Sequence, residues 1–196
     1  MWNSKPFFQR MFRPLAARLA RVGVRANHVS LTTLGVCIAG GLAVAARPHG
    51  AWFLIVPGAL AVRLVLNHVD GLIAHEHDSR SAAGTLINDL LDAVCDTALY
   101  LPLAAVAGAS APLAMLAVVA AVLSEMTGLA ATRLGRDRRE DGPLGKKPRG
   151  VAFGAIYLAL GLGAAPGPWL DVALAATVAL IALTIANRAR AALRPC

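Results

Sequence analysis

Charge, aromatic residues and cysteine are all scarce in this chain, and each shortage removes a class of protein. Only 15% of its 196 residues are charged, against 57% hydrophobic. That is too little polar surface to cover a water-soluble core of this length. Phe, Trp and Tyr together make up 5%, and no basic stretch is interleaved with them. The net charge of +8 therefore does not read as a nucleic-acid partner. Three cysteines, Cys37, Cys95 and Cys196, show neither CxxC spacing nor an even framework, so no disulfide scaffold is expected. HEHD at 75–78 is not HExxH, which excludes the metalloprotease arrangement. No G-x-S-x-G elbow supports a serine hydrolase.

What is present in quantity is long apolar runs without a period-2 or narrow 3.6-period stripe. They predict an all-α integral membrane protein with six transmembrane helices. The spans fall at roughly 29–46, 51–74, 82–107, 112–132, 151–165 and 169–186. The fifth is short for a bilayer, and its start is expected to extend into the basic stretch before it. Every Lys and Arg except Arg47 and Arg63 then lies on one side of the membrane. The positive-inside rule makes that side cytoplasmic, with both termini on it, in the inner (cytoplasmic) membrane. The chain reads as one membrane domain, 1–196, with a cytoplasmic interfacial segment at 1–26, a six-helix core at 27–188 and a cytoplasmic tail at 189–196. Arg residues interrupt the apolar stretch at the start, so a cleavable signal is not expected. Phe8, Phe12, Leu15 and Leu19 share one helical face, suiting an amphipathic helix along the interface. Pro14 is expected to kink or split it; a plain basic anchor explains the segment equally well.

Against this background the few acids are conspicuous. Asp70, Asp89, Asp92 and Asp96 lie inside the second and third spans, where a charge costs several kcal/mol. The short connection at 75–81 predicts that these spans form an antiparallel hairpin. Asn88, Asp89, Asp92 and Asp96 fall within about 100° of helical arc, and Asn67 and Asp70 are i, i+3 neighbours on the facing helix. Such a cluster of oxygens needs a compensating cation. Oxygen donors without His or Cys in register favour Mg²⁺, Mn²⁺ or Ca²⁺ over zinc. The acids sit in the cytoplasmic half, within reach of a polar nucleotide or phosphate. Gly71 and Gly84 clear space beside the acidic face, for a substrate or for an opposing helix.

The stretch Asn67-x2-Asp70-Gly71-x2-Ala74-His75-x8-Gly84-x3-Asn88-x3-Asp92 resembles the signature D-x2-D-G-x2-A-R-x8-G-x3-D-x3-D of the CDP-alcohol phosphotransferases. The spacing matches without a gap. Three positions depart: Asn67 and Asn88 stand for Asp, and His75 for Arg. Asn27 and Ser30 in ANHVS resemble the family's P-N-x-x-T more loosely. SEMTG at 124–128 and DGPLGKKPRG at 141–150 look like one branch of the family, which also carries Asn at two acidic positions.

The resemblance implies six transmembrane helices and transfer of a phosphatidyl group from CDP-diacylglycerol to a small polar alcohol, with release of CMP. It implies Mg²⁺ or Mn²⁺, two ions in all, held among Asn67, Asp70, Asn88, Asp89, Asp92 and Asp96. Asp92, with Asp96 beside it, takes the catalytic role, and Asp92 is the position that deprotonates the attacking hydroxyl. Asp89 and Asp96 are then the local replacements for the two missing carboxylates. Gly71, Ala74, His75, Arg80 and Gly84 fall to nucleotide and phosphate contact. Lys146, Lys147 and Arg149 are candidates for an acceptor phosphate, so glycerol 3-phosphate or another polyol phosphate is preferred. Partners are membrane lipid, those two substrates and, by family analogy, a second copy in a homodimer. Arg63 shares a face with Asn67 and Asp70, where it either neutralises the cluster, holds a phosphate or pairs with Glu125. Two other readings stay open: an impaired member that binds lipid or nucleotide, and an intramembrane-acid cation transporter.

Overall fold

The computed structural model describes residues 5–76 and 82–194, except the side chains of 5–10, 75, 82 and 83. Arg80 and the side chain of His75 therefore lie outside the described residues. Among the described residues seven α-helices run in order: α1 (Lys5–Arg21), α2 (Ala26–Ala46), α3 (Ile55–Glu76), α4 (Ala82–Tyr100), α5 (Ala111–Ala130), α6 (Lys146–Gly161) and α7 (Pro168–Leu193). Among the described residues there is no strand. Short 3₁₀ turns lead into α3 and follow α4 and α5.

The boundaries have local causes. α4 stops at Tyr100 and tightens into the 3₁₀ turn Leu101–Ala105, because Pro102 has no N–H for the next α turn. The third apolar run, read as a span to 107, is thus a helix only as far as Tyr100. α7 opens with Pro168 in its first turn, where a missing N–H costs nothing. The Asp171 carboxylate near that end accepts a hydrogen bond from the Ser110 N–H at 2.7 Å, tying the start of α7 to the start of α5. α6 begins at Lys146, so the helix of the short fifth apolar run does extend into the basic stretch. α7 runs on to Leu193, and the tail expected from 189 is largely helical. α1 is continuous through Pro14; the proline does not split it.

Among the described residues four stretches are long and apolar enough to cross a bilayer: Ala26–Ala46, Gly50–Ala74, Ala111–Leu134 and Pro168–Leu193. Their outward side chains include Leu42, Leu116, Val119, Val172 and Leu183, all exposed. Water would not tolerate so broad an apolar surface, and lipid would. The inner side chains of α2 to α7, among them Cys37, Val56, Leu99, Ala117, Phe153 and Leu174, form one core. Ala16 of α1 closes a smaller cluster with Val29, Val69, Leu72 and Ile73, joined at its edge by Phe12 and Leu19. Half of the apolar face of α1 is therefore spent on α2 and α3, while Leu15 remains exposed.

α2 is the helix on which the rest is arranged. It packs along both α3 and α4, whereas α3 and α4 are not close neighbours of each other. The expected α3–α4 hairpin is therefore corrected: the two helices are splayed, with α2 against both. Gly40 and Gly41 make the approach possible. A Cβ on Gly41 would lie 2.1 Å from the Ala98 carbonyl oxygen of α4, closer than any real contact.

Gly41→Ala should therefore cost about 1–3 kcal/mol, read as a lower thermal midpoint in detergent. Gly35→Ala on the same helix, where a Cβ meets nothing within 4 Å, should not lower the midpoint.

Candidate active site

The splay between α3 and α4 is bridged by charge rather than by apolar packing. From α3, Arg63 Nη2 donates to Asp92 Oδ1 at 2.9 Å and Nη1 donates to Asp96 Oδ1. Arg63 sits one turn before Asn67 on its helix, so it enters the gap from the membrane side. From α6, Lys146 Nζ reaches Asp92 Oδ2, and Arg149 Nη2 reaches Asp96 Oδ2 at 2.7 Å. Each of these two aspartates is thus held on both oxygens, one by α3 and one by α6.

A second carboxylate centre lies beside the first. Glu125 of α5 meets three guanidinium groups: Arg138 at 3.2 Å, Arg149 at 3.4 Å and Arg188 at 3.3 Å. Arg138 also pairs with Asp89 of α4. Arg149 joins the two centres, since it touches both Asp96 and Glu125, and its side chain is completely buried. Arg188 further donates to the backbone carbonyls of Ser124 and Asp141.

The loop between α5 and α6 delivers Arg138 and Lys146 because it is stitched down. Arg139 N–H donates to Gly128 O at 3.2 Å, and Leu144 N–H to the Thr184 hydroxyl at 2.9 Å. Gly142 takes φ +114, and a Cβ there would lie 2.6 Å from Thr184. Only glycine serves that turn against α7. Gly128 is needed too, since a Cβ there would lie 2.5 Å from the Arg139 carbonyl oxygen.

Asp70 stands apart. Among the described residues it has no salt-bridge partner, and its Oδ2 accepts a hydrogen bond from the Ser30 hydroxyl of α2 at 3.1 Å. This contact joins the ANHVS stretch to the acidic stretch across the α2–α3 interface. Beside it, a Cβ on Gly71 would meet nothing within 4 Å. Gly71 thus borders open space and is not a helix-packing contact. Asn67 and Ala74 are half-buried on the same helix, and Asn88 is exposed on α4.

The expected residues therefore divide. Asp92 and Asp96 are brought together with Arg63, Lys146 and Arg149. Asp89 is drawn aside to Arg138 and Glu125. Lys147 is exposed. Arg63 meets Asp92 and Asp96 and, among the described residues, does not pair with Glu125. Glu125, whose partner the sequence left open, has three. Arg138 and Arg188 were read only as topology charges. Arg188 had a signal: it continues the buried stripe Leu174, Thr177, Ile181, Thr184 of α7, and a charge in such a register needs a buried partner.

Among the described residues no three His, Cys, Asp or Glu side chains converge as ready metal ligands. The donors that fit a hard divalent cation are the Asp70 carboxylate, with no cation of its own, and the Asn67 amide oxygen one turn before it. The second oxygen of Asp92, now on Lys146, is a third candidate. Asp89 and Asp96 are committed to guanidinium groups.

No family model matches the chain. It is 31% identical over 193 residues to the inner membrane protein YnbA of Escherichia coli strain K12, covering 98% of this chain and 96% of that protein. The chain belongs to the YnbA family of inner membrane proteins. Its fold is that of a CDP-alcohol phosphotransferase. Phosphatidylinositol phosphate synthase of Mycobacterium tuberculosis with CDP-DAG bound superposes with a TM-score of 0.77 at 16% identity, over 95% of this chain and 98% of that one. The same enzyme in complex with manganese and citrate gives 0.73 at 18% identity, over 93% and 92%.

Removing one partner of a buried ion pair strands the other. Arg149→Met should accordingly lower unfolding stability by about 3–5 kcal/mol in a detergent denaturation series. Arg13→Met, which removes an exposed pairing with Glu76, should cost less than about 1 kcal/mol.

Proposed function

We propose that the protein is a divalent-metal-dependent CDP-alcohol phosphatidyltransferase. It moves a phosphatidyl group from CDP-diacylglycerol to a small polar alcohol, with glycerol 3-phosphate or another polyol phosphate preferred, and releases CMP. The observation that carries this reading is the Ser30–Asp70 hydrogen bond. It joins the two stretches that resemble family motifs, next to the open space at Gly71. The fold shared with a synthase solved with CDP-DAG bound supports the donor class.

In this reading Asp70, Asn67, Asn88 and Asp92 line the cation and diphosphate site. Mg²⁺ or Mn²⁺ there would screen the diphosphate and the departing CMP phosphate. Gly71, Ala74 and Gly84 leave room for the nucleotide, with His75 and Arg80 as further phosphate contacts. Asp92 accepts the proton of the attacking hydroxyl, and Asp96 fixes Arg63 beside it. Lys147 faces an acceptor phosphate at the mouth of α6, with Lys146 beside it on Asp92; Arg149 anchors that helix end. All six apolar runs cross the membrane, α4 and α6 included. α4 carries the three aspartates, whose charge Arg63, Lys146, Arg149 and Arg138 balance, so its low apolarity does not bar it. Both termini and the site are cytoplasmic, and a homodimer is the expected assembly.

One observation favours a second reading, a lipid- or nucleotide-binding member without turnover: both oxygens of Asp92 are already held by Arg63 and Lys146.

Purified protein in mixed micelles with CDP-diacylglycerol, Mn²⁺ and a panel of alcohols should release CMP. Release should require metal and acceptor and should fall at least about a hundredfold in Asp92→Asn. CDP-diacylglycerol binding without CMP release across the panel would establish the second reading.

A further inference from the structure

Among the described residues, the charges of the site balance. Five carboxylates, Asp70, Asp89, Asp92, Asp96 and Glu125, face five cations, Arg63, Arg138, Lys146, Arg149 and Arg188. All of them except Asp70 belong to one connected set of ion pairs. The cluster is neutral before any ligand arrives. Most of it is buried: the Arg149 and Arg188 side chains are 0% and 2% exposed, and those of Arg63 and Asp96 are 6% each. In such surroundings an uncompensated charge is expensive.

The family signature carries aspartate where this chain has Asn67 and Asn88. With aspartates there, the same cluster would hold two net negative charges. A CDP-linked diphosphate diester brings two more, and two divalent cations would cancel all four. Here the cluster contributes none, so the diphosphate alone needs cancelling, and one divalent cation does it. A second would leave the site two charges positive. Its natural ligand is also taken, since Lys146 occupies the outer oxygen of Asp92. The other acids that might replace the lost carboxylates, Asp89 and Asp96, are bound to Arg138, Arg63 and Arg149.

We propose that the site takes a single divalent cation, at Asp70: Asn67 and Asn88 remove the two negative charges that a second cation would cancel, and Lys146, resident on Asp92, occupies the carboxylate that would hold it. This rests on the transferase reading and revises its ion count from two to one. Lys146 is in this sense a positioning residue that sets metal stoichiometry. No other member of the network suits this role as well. Its side chain is one-third exposed at the start of α6, whereas Arg63, Arg149 and Arg188 are sealed in and Arg138, equally exposed, pairs with Asp89 and Glu125 and not with Asp92.

The test is a titration of the purified full-length chain in CDP-diacylglycerol-containing micelles with Mn²⁺, counting bound ions per chain by electron paramagnetic resonance of the free ion. A protein-free micelle blank is subtracted. Wild type should bind one Mn²⁺ and Lys146→Arg should still bind one, whereas Lys146→Gln, which frees the Asp92 oxygen and leaves a two-ion site one charge positive instead of two, should admit a second, weaker ion. Asp70→Asn should lose the ion, and the surface control Arg133→Gln should match wild type. Two Mn²⁺ in wild type would overturn the proposal while leaving the transferase reading intact. One ion in Lys146→Gln, with unchanged affinity, would overturn the role given to Lys146. No binding above the blank in wild type would overturn both the ion count and the metal-dependent reading beneath it. The wild-type count and the arginine variant keep the test decisive if the glutamine variant does not fold.

Discussion

The structure depends on the mutual cancellation of charges that a membrane interior cannot hold singly. Asp92, Asp96 and Glu125 each meet at least two cations, and those cations arrive from α3, the α5–α6 loop, α6 and α7. Nearly every helix of the core is therefore fixed by the same network. Desolvation makes each pair weak as a net source of stability but makes any unpaired member costly. Its structural effect is consequently one of specification: the helices can sit only where every charge finds its partner. Across the splay of α3 from α4, Arg63 reaches both Asp92 and Asp96, while α2 packs against both helices.

The other end of the bundle obeys the opposite rule. There Gly40 and Gly41 let α2 approach α3 and α4, and Gly161 admits Leu54, which would lie 2.5 Å from a Cβ at that position. Small residues give close backbone contact where no hydrophobic effect drives helices together. At this end the close backbone contact is flanked by an open apolar groove lined by Ile38, Leu42, Ala98, Leu101 and Ala105, whereas the end with the acids has unfilled space at Gly71 beside charged groups.

Much of this was legible in the sequence. The apolar runs marked the helices, because length and unbroken apolarity are local properties. The i, i+3 and i, i+4 spacing of Asp70, Asp92 and Asp96 marked the polar face for the same reason. What the sequence did not reveal were relations between distant segments. The short connection expected at 75–81 suggested a hairpin, yet chain proximity does not say which helix packs beside each, and α2 packs against both. Glu125 announced a partner without naming it, since Arg138, Arg149 and Arg188 were equally visible as loop, helix-start and tail charges. The distinction lay in depth: Arg188 continues the buried stripe of α7, whereas Arg190 and Arg194 leave it.

The asparagines at 67 and 88 then take on a different meaning from simple loss. Judged one position at a time, each replaces a charged ligand by a weaker neutral one. Judged by the whole cluster, each removes a negative charge from a set whose five cations already match its remaining acids. Asp70 is the one carboxylate of that set left without an ion pair among the described residues, held by a neutral hydroxyl from Ser30. A cation can approach it without first displacing a guanidinium, whereas at Asp96 it would have to break two. Such a cluster can rest neutral within the membrane and still keep one carboxylate available, because the remaining acids are satisfied by the chain itself.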